Sequence, residues 1–481
     1  MTPYLVPRTE PLLRSALDQD ALLHQLVDAL GSPLNVVLPG QLAENLAGFR
    51  AVLDAHRLPG EVYFAHKANR SSALVRELAA AGAGLDVASL GELQHALGAG
   101  FGPARIMATG PKSPPFLALA ARAGVIVNAD TLAELSELAL LVAAHGLPRV
   151  RVMVRLSSFD SPGVNVMSRR SRFGTPVSQV GAALDLLEKH ADTLELIGMA
   201  YHLDTMGLPE KAAALEGCLK AMDECHQRGL RPRALDIGGG FGVNYLADGA
   251  QWESYTTALT EAVLGKRPPM TWHGHGYGLR NEGGKVRGTL SVYPSYRPVA
   301  GAAYLDRLLS TVSPSLRRPL ATLLLDNMYD LHVEPGRALL DQCGAVLGTV
   351  LEVRDDGDET LVRLDLNARD VSIEEHGVLM DPILISRPGV AGGEPAGVYL
   401  LGNLCLESDL ITRRKVFLPA RPRPGDLLAF VNTAGYLMDF RADHALMQPV
   451  AHTVALTREH GAWRWCLDER YWPAADRGEA A

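Results

Sequence analysis

The chain has 481 residues, of which 47% are hydrophobic and 21% charged, and its net charge is −8. That balance fits a folded globular protein and excludes a mostly disordered chain. No basic surface dominates, so nucleic acid is not an expected partner. No apolar run approaches the roughly 20 residues needed to cross a bilayer, so no membrane association is expected. The opening MTPYLVPRTEPLLRSALDQDALL lacks the apolar core of a signal peptide, and the expected location is cytoplasmic. Five cysteines with no CxxC pair argue against a disulfide framework.

Residues 1–44 read as an N-terminal segment expected to pack on a later β-domain. From residue 45, short β-rich runs alternate with helical ones. The strand candidates are EVYFAHK (61–67), GLDVAS (84–89), RIMATG (105–110), GVIVNAD (124–130), RVRVMVRL (149–156), LIGMAYHL (196–203), RALDIGG (233–239) and LHVEPGR (331–337). Most are near-continuous apolar runs, as expected of parallel strands buried on both faces. Stretches such as SSALVRELAAAG and TLAELSELALLVAAHG carry helical spacing and end in Gly. Eight repeats of this unit predict a TIM (β/α)8 barrel over 45–337.

A long segment, about 250–325, interrupts the pattern before the eighth strand. It holds two predicted helices, WESYTTALTEAVLG and AAYLDRLLSTVS, around the Gly- and aromatic-rich WHGHGYGLRNEGGKVRGTLSVYPSYRP. Long loops at a barrel top are often lids or specificity elements, and a surface elaboration or dimer contact is the alternative. After Arg337 the runs CGAVLGTVLEV, ETLVRLDLN, GVYLLGNLC, DLLAFVN, HTVALTRE and AWRWCLD predict an all-β domain over 338–481.

Barrel active sites sit at the C-terminal ends of the strands. There the sequence places His66 and Lys67, Asp86 and Ser89, Arg155, His202, Asp236, Gly238–Gly240, Glu334 and Arg337. A lysine in a desolvated mouth can form a Schiff base, whereas a solvated strand end is its bland alternative. Glycines 238–240 would let backbone N–H groups approach a phosphate, although a tight turn needs glycines too. For Cys405, a buried strand cysteine is the reading the residue alone supports.

In order, the motifs YFAHKAN, LDVASLGEL, SRFG, YHLDT, DIGGGFG, EPGR, GNLCLESD and AGY resemble those of the fold-type III pyridoxal-phosphate decarboxylases, the diaminopimelate and ornithine decarboxylase group. The long segment before EPGR and the following ALLDQCG are similar to a Y4yA-type branch. The resemblance implies an alanine racemase-like architecture and pyridoxal 5'-phosphate as cofactor. It implies that Lys67 holds the cofactor as a Schiff base, that Glu334 faces the pyridine nitrogen, and that His202 stacks on the ring. It also implies that Gly238, Gly239, Gly240, Arg337, Tyr436 and Thr205 bind the phosphate, with Asp86 and Arg155 lining the site. Cys405 would come from the partner subunit of a homodimer with shared active sites and reprotonate Cα, and Asp409 would complete the substrate side.

The sequence departs from that family at two places. An acid follows the cysteine in ornithine and diaminopimelate decarboxylases, but here Leu406 follows, and Glu407 would lie on the opposite face of a strand. LNARDVSIEEHG stands where a carboxylate-binding Arg-Pro…Tyr segment is expected. These departures predict a specialised amino-acid substrate, with Glu407 kept beside Asp409 on the substrate side and His273, His275, Tyr277, Arg280 and Arg297 as further recognition candidates. The two histidines of HGH lack a clear third ligand, and no metal is expected. The alternative reaction is an amino-acid racemase on the same fold. A non-catalytic regulator is disfavoured because Lys67, Glu334, Arg337, Cys405 and Tyr436 are all present.

Overall fold

The computed structural model describes residues 3–159, 171–389 and 393–473. The chain divides into two compact units. One is the barrel unit, Ala43–Gly242, Ala300–Leu339 and Trp472–Ala481; the other is Met1–Leu42, Val243–Val299 and Leu340–Tyr471. The long segment before the eighth strand is therefore divided between the two units. Residues 243–299 group with the β-rich unit, and 300–339 return to the barrel.

The barrel strands are β1 (Gly60–Ala65), β2 (Gly84–Val87), β3 (Ile106–Ala108), β4 (Ile126–Ala129), β5 (Val150–Ser157), β6 (Leu194–Tyr201), β7 (Ala234–Asp236) and β8 (Asp330–Val333). Each pairs in parallel with the next, and β8 pairs with β1, so the sheet closes and leaves no free edge. Closure explains the sequence pattern. β2, β3, β4 and β7 are buried throughout, with helices outside and packed side chains inside. Tyr63, Met107, Ile126, Met153, Ala200 and Ala234 fill the interior. Three of the helices between strands begin on side-chain caps: Ser71, Ser89 and Thr131 accept N–H bonds from Leu74, Glu92 and Glu134 at 3.2, 3.2 and 3.1 Å. Before β8 the chain forms helices Gly301–Ser310 and Leu320–Asp326; the second was not apparent in the sequence.

The β-rich unit is built on one long strand, β9 (Gly344–Asp356). Its far half pairs with β10 (Glu359–Leu364), and its near half with the N-terminal strand Leu34–Val37 and with β14 (Leu427–Val431). A register shift between Val350 and Glu352 separates the halves. β11 (Ile383–Ile385), β12 (Ala396–Leu401), β13 (Val416–Leu418), β15 (His452–Glu459) and β16 (Ala462–Leu467) complete the sheet. Helices Pro11–Leu17 and Asp20–Leu30 place Leu13, Leu17, Leu23 and Leu26 in one core with Leu347, Val431 and Val454. A fully buried ion pair, Arg414 to Asp381 at 2.7 Å, lies in this unit. Asp381 also accepts the N–H groups of Leu5 and Phe417 at 2.7 and 3.2 Å, so its charge is well satisfied.

One strand ends earlier than the sequence suggests. GVYLLGNLC does not continue to Cys405: β12 stops at Leu401, and 402–410 turn. Among the described residues, no helix is long and apolar enough to cross a membrane.

Candidate active site

The C-terminal ends of the barrel strands carry a ring of ionisable groups. Lys67 stands in the turn His66–Ala68 directly after β1, with its side chain exposed. Asp86 is buried on β2, where Thr109 Oγ1 donates to its Oδ1 at 2.6 Å. Arg155 on β5 lies 3.5 Å from Asp130 and places its guanidinium 5.1 Å over the Phe173 ring. Asp130 in turn accepts the Gly174 N–H at 3.1 Å, which fastens the SRFG segment to the end of β4.

Asp86, Asp236 and Glu334 are three buried carboxylates that feel one another. Burial, more than any other cause, pushes all three upward; the charge of Asp86 adds to the rise of Asp236, and Asp236 and Asp86 add to that of Glu334, while Lys67 and Arg155 pull Asp86 and Glu334 back down. Asp236 is pushed up to about 7. A raised carboxyl contributes stability that is complete below its ordinary value and is lost as pH rises through the folded value. Asp236→Asn should therefore gain stability relative to the parent apoprotein as pH rises from about 4 to about 7. The relative gain should reach about 4 kcal/mol in urea unfolding, from about three pKa units at 1.36 kcal/mol each. A difference that does not change with pH would show that Asp236 is not held protonated.

The glycine run after β7 is cut to fit its surroundings. Gly238 and Gly240 have φ of +65° and +85°, where other residues are strained. A Cβ on Gly238 would lie 2.7 Å from both His202 Nδ1 and the Tyr201 carbonyl, and one on Gly239 would lie 2.7 Å from the Glu334 carbonyl. Gly238 N–H donates to Asp236 Oδ1 at 2.7 Å, and Gly239 N–H to His202 Nδ1 at 3.2 Å. His202 Nδ1 is therefore an acceptor, which puts the ring proton on Nε2. Burial first, and then the neighbouring Lys67, Arg155 and Lys211 cations, pushes His202 down to about 3, so it stays neutral. The EPGR segment meets the same loop: Glu334 N–H donates to the Gly238 carbonyl at 2.9 Å. Arg337 is half-buried, and Thr205 Oγ1 accepts the Gly207 N–H at 3.0 Å.

Two residues near this mouth, His95 and Lys211, were not apparent from the sequence. His66 is buried against His95, Nε2 to Nδ1 at 2.8 Å, and lies 3.6 Å from Glu92. Burial would raise the Glu92 carboxyl, but hydrogen bonds from His66 and the Ala88 N–H outweigh it, so Glu92 stays low. Lys211 lies in helix Leu208–Gln227, fully buried, and its Nζ donates to the Gly239 carbonyl. A lysine three residues into a helix reads as solvated; only the packed barrel shows otherwise.

The remaining candidates lie in the β-rich unit. Cys405, Leu406 and Glu407 occupy an exposed turn, so the strand-face argument against Glu407 does not apply, and Cys405 is not a buried strand cysteine. Asp409 is buried, and its carboxylate accepts the N–H groups of Ala368 and Leu404 at 2.9 and 2.8 Å, which shapes that turn. Tyr436 has φ +69° and stacks on His376 with centroids 6.2 Å apart. A bulky residue at positive φ is strained, and such strain gathers at functional sites. His275 and Tyr277 line a cavity of about 560 Å3 with Glu374, His376 and Arg413. The other recognition candidates are not brought there. His273 packs on Trp272, Arg280 pairs with Glu282 in an exposed hairpin, and Arg297 lies over Tyr293. Among the described residues, no group of three or more His, Cys, Asp or Glu side chains could hold a metal ion.

The mouth suits pyridoxal phosphate. The glycine run is a cradle that any Cβ would fill, the raised carboxylates suit a ring nitrogen bearing a proton, and Lys67 offers an accessible amine. A family model described as the pyridoxal-binding domain of pyridoxal-dependent decarboxylases matches residues 40–285. The uncharacterized protein y4yA of Sinorhizobium fredii is 32% identical over 445 residues, 89% of this chain and 90% of its own length. Diaminopimelate decarboxylase of Pseudomonas aeruginosa is 30% identical over 231 residues, 46% of this chain and 55% of its own. The crystal structure of diaminopimelate decarboxylase from M. jannaschii with L-lysine shares the fold, with a TM-score of 0.69 at 19% identity, over 93% of this chain and 91% of that chain. By its fold, its motifs and its relatives, the chain belongs to the pyridoxal-phosphate-dependent decarboxylase family of fold-type III.

Proposed function

We propose that the chain decarboxylates a specialised amino acid at its α-carboxylate. The observation that carries this reading is the convergence of Lys67, neutral His202 and the Asp236–Glu334 pair on one barrel mouth beside a glycine cradle. When bound, pyridoxal phosphate supplies an electron sink for the pair freed as carbon dioxide leaves. Lys67 Nζ would hold the cofactor and exchange protons at that atom. His202, neutral with its proton on Nε2, would cover the ring without adding charge. Burial pushes Glu334 and Asp236 upward, and the charge of Asp236 pushes Glu334 further, which favours keeping a proton on the pair. That proton would be shared with the ring nitrogen. Gly238–Gly240, Thr205 and Arg337 would hold the phosphate, together with Tyr436.

Protonation of Cα would fall to Cys405 of the partner subunit in a homodimer. Its exposure supports this role, since a thiol that serves a partner must stand free of its own core. Leu406 and the cavity beside His275 support a substrate other than ornithine, lysine or diaminopimelate. A site lacking the acid that reads a distal ammonium loses about 10^4-fold or more of that discrimination. Steady-state assays across a panel of amino acids test this: slow turnover of those three is expected, and fast turnover of any one of them overturns the substrate claim.

A further inference from the structure

We propose that Lys211 is the buried counter-charge of the cofactor's phosphate group, acting through the Gly239–Gly240 peptide to aim the Gly240 N–H at a phosphate oxygen. The proposal rests on the pyridoxal-phosphate reading of the mouth. An ammonium taken out of water is costly unless an anion compensates it. Lys211 is fully buried, yet among the described residues no carboxylate lies within ion-pair distance of its Nζ. Its hydrogen bond goes to the Gly239 carbonyl, and the Phe241 ring lies 5.3 Å away. Burial pushes its pKa down to about 8, and the charge of Glu334 only partly opposes this.

The peptide geometry says where the missing anion would sit. The Gly239–Gly240 bond is trans, so its C=O and N–H point in opposite directions. Lys211 holds the C=O on one side and thereby fixes the Gly240 N–H on the other. A cation on the carbonyl also polarises the peptide and makes that N–H a stronger donor. Among the described residues, the N–H groups of Gly240, Phe241 and Gly242 donate to no protein acceptor. Successive free N–H groups form a concavity suited to an anion. A Cβ on Gly240 would stand 3.1 Å from the Thr205 carbonyl and 3.2 Å from Lys211 Nζ, so the lysine and the loop close on each other with little spare room. Lys211 is a positioning residue: it reaches the phosphate through the peptide.

The test compares pyridoxal phosphate with pyridoxal, which lacks the phosphate, as ligands of the full-length apoprotein. Lys211→Met and Lys211→Gln should each weaken pyridoxal phosphate by about 10- to 100-fold and pyridoxal by less than about 3-fold. Inorganic phosphate should compete with the cofactor in the parent and lose most of that power in both variants. Near-UV circular dichroism checks folding, and Lys211→Arg, which keeps the charge, should retain the preference for the phosphorylated ligand. Equal weakening of both ligands would reveal a packing role and overturn the proposal, as would unchanged affinity for pyridoxal phosphate. A parent protein that binds no pyridoxal phosphate would sink the cofactor reading itself, a separate outcome.

Discussion

Lys67→Ala should yield a folded protein that takes up no covalently held pyridoxal phosphate and turns over at least about 10^3-fold more slowly than the parent. Folding should be unaffected, because the side chain is exposed in a short turn at the end of β1. The loss should be chemical. Lys67 Nζ is the accessible amine at the mouth, and its charge helps to lower Asp86 and Glu334 and to keep His202 unprotonated. Removing it should push those carboxyls further upward. Lys67→Arg separates the two roles: it restores the charge but cannot form the covalent link, so it should be as inactive as the alanine variant. The readouts are visible absorbance after reconstitution and kcat. A Lys67→Ala protein that keeps the absorbance of lysine-bound cofactor would remove Lys67 from its role.

Cys405→Ala should lower kcat by about 10^2- to 10^4-fold, the range for loss of a positioned proton donor. Stability should change little, because the turn is shaped by Asp409 and the thiol itself is exposed. If each site takes Lys67 from one chain and Cys405 from the other, two inactive variants should complement. In a random mixture of Lys67→Ala and Cys405→Ala chains, half the dimers are mixed and each mixed dimer has one intact site. The mixture should regain about a quarter of the parent's specific activity. No recovery after verified exchange of chains would mean that the two residues act within one chain, and a Cys405→Ala protein with the parent's kcat would mean that Cys405 does not act.

Much of the barrel was legible because its physics is local. Strands buried on both faces must be apolar runs, and each is bounded by turn residues and a helix. The strands that escaped notice are short and owe their existence to distant partners. Leu34–Val37 pairs with residues 344–347 and 452–455, and Ile383–Ile385 pairs with 427–429. The apolar alternation of GNLC mimics a strand, but the Asp409 carboxylate captures the Leu404 N–H and turns the chain. The site divides in the same way. Lys67, Asp86, Arg155, His202, Asp236 and Glu334 announce themselves as polar residues at the ends of apolar strands. Lys211 and His95 do not, because the burial of Lys211 and the contact of His95 with His66 follow from how helices settle on the closed barrel. Arg280 and Arg297 illustrate the opposite case: an inserted segment rich in polar residues leaves most of them occupied with one another.

The central claim is that the mouth built around Lys67 and Glu334 removes carbon dioxide from an amino acid. Mass spectrometry of an amino-acid mixture, before and after incubation with the pyridoxal-phosphate-loaded protein, tests it most directly. The expected result is one specialised amino acid converted to the amine lighter by one carbon dioxide, with the Lys67→Ala protein inert. Loss of optical activity with no change in mass would contradict it and assign the site to racemisation.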